Sequence, residues 1–183
     1  MSLLIQTQPL QQSEGGIYTI YYSNHLDPDF EDVDSILYIG STRSFKRRHT
    51  QHSRELGERH SNWLLKKIGR KAKQNNQELH FHKLLTLPRL SLQPSQYDKV
   101  LRVVEQWFIH LNRPISDVET AINNGSDYHR HRLANWSDSI DFNETNSETL
   151  YILLSSYRDR LEDIVLKSII TQVMDYVDTY RWQ

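Results

Sequence analysis

Tyr38 lies in the apolar run SILYIG (35–40) and stands ten residues before Arg48, in a segment that also carries Arg43, Lys46, Arg47, His49 and His52. A phenol backed by cations can work as an acid, a base or a donor to phosphate, because positive neighbours favour its charged form. A second tyrosine, Tyr18, lies in GGIYTIYY (15–22), and Glu105 sits beside the apolar stripe of a later helical pattern. A carboxylate at the edge of a core stripe is costly unless it is paired, solvated through a cleft or bound to a metal. Each of these residues also has an ordinary reading. The tyrosines fit strand aromatics, Arg48 and His52 fit a solvated helix face, and Glu105 fits a carboxylate that reaches water from a helix edge.

The elements that must position these groups follow from hydrophobic period. GGIYTIYY and SILYIG have the aromatic and β-branched content of strands. The connection SNHLDPDFEDVD (23–34) holds a proline and five acidic residues and reads as a long hairpin loop. In a suitable register Tyr18 and Tyr38 face the same side. Ser44 is placed to cap a helix running to about Leu56, on which Phe45, Arg48, His49, His52 and Leu56 share a face. A second helix is expected over 62–73 with Trp63, Leu64, Ile68 and Ala72 inward. ELHFHKLL (78–85) alternates as a third strand, with Leu79, Phe81 and Leu85 on one face. A helix over 95–111 is expected to bury Val100, Leu101, Val104, Phe108 and Leu111, with Glu105 beside them.

Beyond this, 126–146 is polar and irregular and reads as a linker. The stretch 147–182 contains neither proline nor glycine. Leu150, Leu154, Tyr157, Leu161, Ile164, Ile169, Val173, Val177 and Tyr180 recur there at helical spacing, as one long helix or two stacked ones. Such a stripe must be covered, by the rest of the chain or by a second copy.

Composition narrows the function classes. The 183 residues contain no cysteine, so disulfides and thiolate metal sites are excluded, and no HExxH zinc motif occurs. No run approaches the roughly 18 apolar residues of a membrane span. A membrane partner is therefore not expected, and a cytoplasmic location is. The net charge of −1 averages over a marked asymmetry. Between Ser41 and Asn75 there are 11 Lys and Arg against 2 acidic residues, while from Ser126 to Gln183 there are 6 against 10. A local basic stripe is what a phosphate backbone responds to, whatever the total charge.

GIY at Gly16–Tyr18, YIG at Tyr38–Gly40, Arg48 and Glu105, in that order over about 15–117, resemble the GIY-YIG nuclease family, in particular its compact, restriction-type or free-standing members. STRSFKRRHTQH (41–52) is similar to the family's segment after YIG, with His52 one turn beyond Arg48, and in EQWFIHLNRP (105–114) Arg-Pro follows the glutamate as in the family. One position departs from it: many members place an asparagine twelve residues after the glutamate, where this chain has Asp117, with Asn112, Asn123 and Asn124 nearby. The resemblance implies an α/β fold, a small domain over 15–125 with a three-stranded antiparallel sheet flanked by helices. A flexible leader (1–14) precedes it, and the linker (126–146) and a helical extension (147–183) follow.

It also implies a metal-dependent DNA endonuclease that hydrolyses phosphodiester bonds. Glu105 would hold a single divalent cation, magnesium or manganese, and Arg48 the scissile phosphate. Tyr18 is the candidate general base; a free phenol titrates near about 10, so Arg43, Arg48 and His52 would supply the field that lowers it. Tyr38 would orient water or phosphate and share the base role, and His52 would relay a proton or contact phosphate. Arg43, Lys46, Arg47, Lys66, Lys67 and Arg70 are the candidate DNA-backbone contacts. A homodimer through the C-terminal stripe would let one site per chain cut both strands. The rival expectation is a catalytically inactive module that keeps the fold and binds nucleic acid, which Asp117 favours.

Overall fold

The computed structural model describes residues 4–23, 36–56, 69–70, 72–112 and 144–180. Their elements are, in chain order, β1 (Leu4–Gln6), β2 (Gly16–Ser23), β3 (Ile36–Thr42), α1 (Phe45–Glu55), β4 (Glu78–Thr86), α2 (Pro94–Asn112), α3 (Glu144–Arg160) and α4 (Ile164–Tyr180). Residues 69–70 and 72–74 are helical, and Ala72 is buried; the rest of the helix expected over 62–73 lies outside the described residues, as do Lys66, Lys67, Asp117, Asn123, Asn124 and most of the expected linker.

Among the described residues the sheet has four strands in the order β1-β4-β2-β3, which corrects the expectation of three antiparallel strands. β2 pairs antiparallel with both β3 and β4, but β1, which falls in the leader, lies parallel to β4 with Leu4 opposite Leu79. Three residues are too few for alternation to show in a sequence. What fixes β1 is Leu4, which is enclosed with Leu79, Phe81 and Tyr18 in one cluster.

A second correction concerns β4. Its register against β2 runs Tyr18 to Lys83 and Ile17 to Leu85, so Leu84 is an extra residue. The bulge turns Leu85 away from Leu79 and Phe81, and both Leu84 and Leu85 pack against the opposite cluster. A period-2 pattern cannot reveal where it slips by one.

Two cores lie on the two faces. On one, Phe45 and Leu56 at the ends of α1 join Tyr18, Ile20, Leu79 and Phe81. On the other, Ile17 and Ile39 meet Val100, Leu101, Val104 and Trp107 of α2, and this cluster continues into Leu150, Leu154, Tyr157, Leu161, Val173 and Val177. Most of the C-terminal stripe is thus covered by the chain's own α2. At the turn between α3 and α4 it is not, where Ile164 is 80 % exposed; Leu111 of α2, expected inside, is also exposed. The stripe forms two helices rather than one because Asp163 breaks the run and caps α4, its carboxylate accepting from the backbone N–H of Val165 and Leu166 at 2.8 and 3.1 Å.

Candidate active site

The two tyrosines reach one another through strand register. Tyr18 is opposite Gly40 and Tyr38 opposite Ile20, so the rings are diagonal neighbours on the same face, stacked with centroids 5.8 Å apart. Phe81 stacks on Tyr18 at 4.6 Å. Gly40 leaves the room for this: a Cβ there would lie 2.5 Å from the Tyr18 hydroxyl and 2.5 Å from the Tyr38 ring. Gly16 is required for a different reason, since its φ is +152° and a Cβ would lie 1.9 Å from the Leu85 carbonyl oxygen. The glycines of both tripeptides therefore have local steric causes.

Helix α1 brings the next groups. Ser44 caps it, its hydroxyl accepting from the Arg47 N–H, and His49 on the first turns bonds to the Leu4 carbonyl oxygen at 3.2 Å, tying α1 to β1. Burial lowers the His49 pKa from its ordinary value, which keeps the ring neutral in this place. One turn on, His52 Nε2 lies 2.6 Å from the Tyr18 hydroxyl, and its Nδ1 lies 2.7 Å from Glu55 Oε2. A carboxylate only accepts, so Nδ1 carries the proton and, on the neutral ring, Tyr18 donates to Nε2. Tyr18, His52 and Glu55 are 0, 2 and 5 % exposed, so the chain is shielded from water. Tyr38 is half-buried, with its ring 5.3 Å from that of His52.

Glu55 is the functional candidate that sequence reasoning missed. The available signal was a carboxylate three residues after His52 on the same helix face, set in a run otherwise dominated by cations.

A cleft of about 360 Å³ opens where α1 and α2 meet around the end of β3, an edge strand of the sheet. Ser41, Arg43, Arg47, Arg48, Gln51, Asp98 and Arg102 contribute its polar lining. Four arginines against one aspartate make it a place for an anion with several oxygens. Arg43 is engaged in the described state: its guanidinium donates to both carboxylate oxygens of Asp98. That bond holds the Asp98 carboxyl below its usual range and raises Arg43 further. If the cleft takes a nucleic-acid backbone, Asp98→Ala is expected to free Arg43 for phosphate, so that duplex DNA would bind several-fold more tightly at low salt and the slope of log K against log salt would steepen by about 0.9. A titration of binding against salt reads both, and an unchanged slope would mean that Arg43 does not reach the backbone.

Lys46, Arg47 and Arg54 line a neighbouring groove with Gln12, Thr50 and Gln51, so Arg47 and Gln51 border both depressions. Arg70 is exposed and lines neither cleft.

Glu105 lies on α2, 8 % exposed, and accepts the Ser41 hydroxyl at 2.5 Å. Ser41 follows Gly40 and points to the sheet face opposite Tyr18, so Glu105 lies on the α2 face and the tyrosines on the α1 face; neither Glu105 nor Tyr18, Tyr38 or His52 lines the cleft, and Ser41 is what links Glu105 to it. Among the described residues no group of three or more His, Cys, Asp or Glu side chains converges, and Glu105 is the carboxylate placed beside Ser41 at the end of β3. Magnesium is commonly held by one or two carboxylates together with substrate phosphates, and the Glu105 donor fits it.

Two other buried tyrosines show the contrast with Tyr18. Tyr97 donates to the Leu87 carbonyl oxygen and Tyr157 to that of Pro88, at 2.6 and 2.7 Å. Burial pushes the Tyr97 phenol up to about 12 and raises Tyr157 too, so both stay neutral donors that hold α2 and α3 to the segment after β4. Among the described residues neither hydroxyl is bonded to a nitrogen base.

Compared with known proteins, the chain matches no family model, no curated protein and no solved structure. No helix among the described residues is long and apolar enough to cross a membrane.

Proposed function

We propose that this chain is a divalent-metal-dependent endonuclease that hydrolyses DNA phosphodiester bonds through a GIY-YIG-type site. The observation that supports this is the arginine-lined cleft at the end of β3, beside which lie the buried Tyr18–His52 pair on the α1 face of the sheet and, on the α2 face, Glu105 bonded to the cleft residue Ser41. Arg48 and Arg47 hold the phosphate in that cleft. Tyr18 is the general base. Its O–H proton moves to His52 Nε2, giving an imidazolium that faces the Glu55 carboxylate, and the phenolate takes a proton from the water that attacks phosphorus. Tyr18 is enclosed in the described conformation, so the water reaches it once the half-buried Tyr38 ring turns aside. Glu105 would hold a magnesium or manganese ion, which when bound supplies positive charge to the phosphoryl and leaving 3′ oxygens. The P–O3′ bond breaks, leaving a 5′ phosphate and a 3′ hydroxyl.

DNA is thus the proposed partner. A homodimer for double-strand cutting would have to use surface other than the stripe that α2 covers. A second proposal, binding without cutting, draws on the enclosure of Tyr18. End chemistry tests the nuclease directly: cut strands should be resealed by DNA ligase without prior treatment, whereas ends that resist ligation until a protein adduct or a 3′ phosphate is removed would contradict attack by water.

A further inference from the structure

Glu55 makes a contact beyond His52 that the proposed chemistry has not yet used. Its two oxygens serve different neighbours. Oε2 accepts from His52 Nδ1 at 2.7 Å, and Oε1 accepts from Gln51 Nε2 at 2.7 Å. Gln51 is oriented by this bond, so its own oxygen faces Arg48, whose Nη1 donates to it at 3.1 Å. A continuous path therefore runs from Arg48 through Gln51, Glu55 and His52 to the Tyr18 hydroxyl. The path starts in the phosphate cleft and ends at the proposed base.

We propose that Glu55 is the positioning residue of this site: it fixes His52 with its proton on Nδ1, so that Nε2 is free to accept the Tyr18 proton, and through Gln51 it sets Arg48 in the cleft. This rests on Tyr18 as the base. Alternative roles for Glu55 are weaker. It is 5 % exposed, so it is no solvated face residue, and a buried carboxylate is retained only where partners satisfy it. The logic is that of a nucleophile, imidazole and orienting carboxylate, with a phenol in first place. Without the carboxylate, the imidazole gains by moving its proton to Nε2 and donating to the phenol oxygen, and it can then no longer accept from it.

The test is a long-range ¹⁵N–¹H correlation spectrum of the full-length protein, with the His52 ring signals assigned by their loss in His52→Gln. Wild type should show Nδ1 protonated and Nε2 bare. Glu55→Leu should move the proton to Nε2, whereas Glu55→Gln, whose amide oxygen can still accept, should keep it on Nδ1. At saturating DNA, Glu55→Leu should cut at least ~100-fold more slowly and Glu55→Gln within ~10-fold of wild type, since general-base loss has that size. Gln51→Leu should leave the ring unchanged and raise KM, because only the Arg48 branch is lost. A wild-type ring protonated on Nε2, a folded Glu55→Leu with its proton still on Nδ1, or a Glu55→Leu that cuts at the wild-type rate would each overturn the proposal. Should Glu55→Leu fail to fold, the wild-type and Glu55→Gln spectra still decide it. Absence of cutting by wild type would count against the nuclease and leave the spectra to judge Glu55.

Discussion

Glu105→Gln is expected to lower metal-dependent cleavage by at least ~1,000-fold while the protein stays folded. The size follows from what a Lewis-acidic cation contributes at a phosphoryl group, several kcal/mol, with each 1.36 kcal/mol worth about tenfold in rate. Glutamine is the informative replacement because its amide oxygen can still accept the Ser41 hydroxyl, so the link between α2 and β3 survives. Removing a charge from a position 8 % exposed also relieves a desolvation cost, so the melting temperature should hold or rise. Rate measurements across a magnesium titration, beside a thermal melt, separate the two effects. Retained cleavage at ordinary magnesium would take the cation away from Glu105; a large loss of stability would make the residue structural.

Tyr18→Phe should slow cutting by ~100- to 10,000-fold, the range that a positioned general base contributes. The ring remains, so stacking on Phe81 and Tyr38 is kept. What is lost is the donor to His52 Nε2, and an acceptor left buried without a partner costs about 1–3 kcal/mol. In a chain of this size that is a melting shift of several degrees at about 2–4 °C per kcal/mol, too little to empty the folded state at room temperature. The rate loss should therefore exceed anything unfolding explains. Tyr38→Phe, which keeps the ring that covers Tyr18, should lose less. Single-turnover rates for the two variants at 25 °C settle the ranking; a Tyr18→Phe enzyme within about threefold of wild type would transfer the base role elsewhere.

The sequence carried the parts of this site that depend on local chemistry. Ser44 as cap, α1 to Glu55, the β2 and β3 strands and the shared face of Tyr18 and Tyr38 follow from propensity and alternation, and the structure has them. What it could not carry depends on long-range pairing. The three residues of β1 acquire meaning only beside β4, and the Leu84 bulge only against β2. The same holds for charges. Arg43 reads as a free cation until Asp98, 55 residues away, is folded against it, and Glu55 reads as one acidic residue in a basic run until His52 and Gln51 turn toward it. Spacing names the residue types of a site, but their partners come from the fold.

Metal-dependent hydrolysis of DNA is tested by cleavage of supercoiled plasmid with the purified 183-residue chain. With magnesium or manganese, the plasmid should convert to nicked or linear DNA, a conversion that EDTA stops and added cation restores. Plasmid that stays supercoiled at every cation concentration, while a gel shift shows the protein bound to it, would contradict the nuclease and leave a binding module in its place.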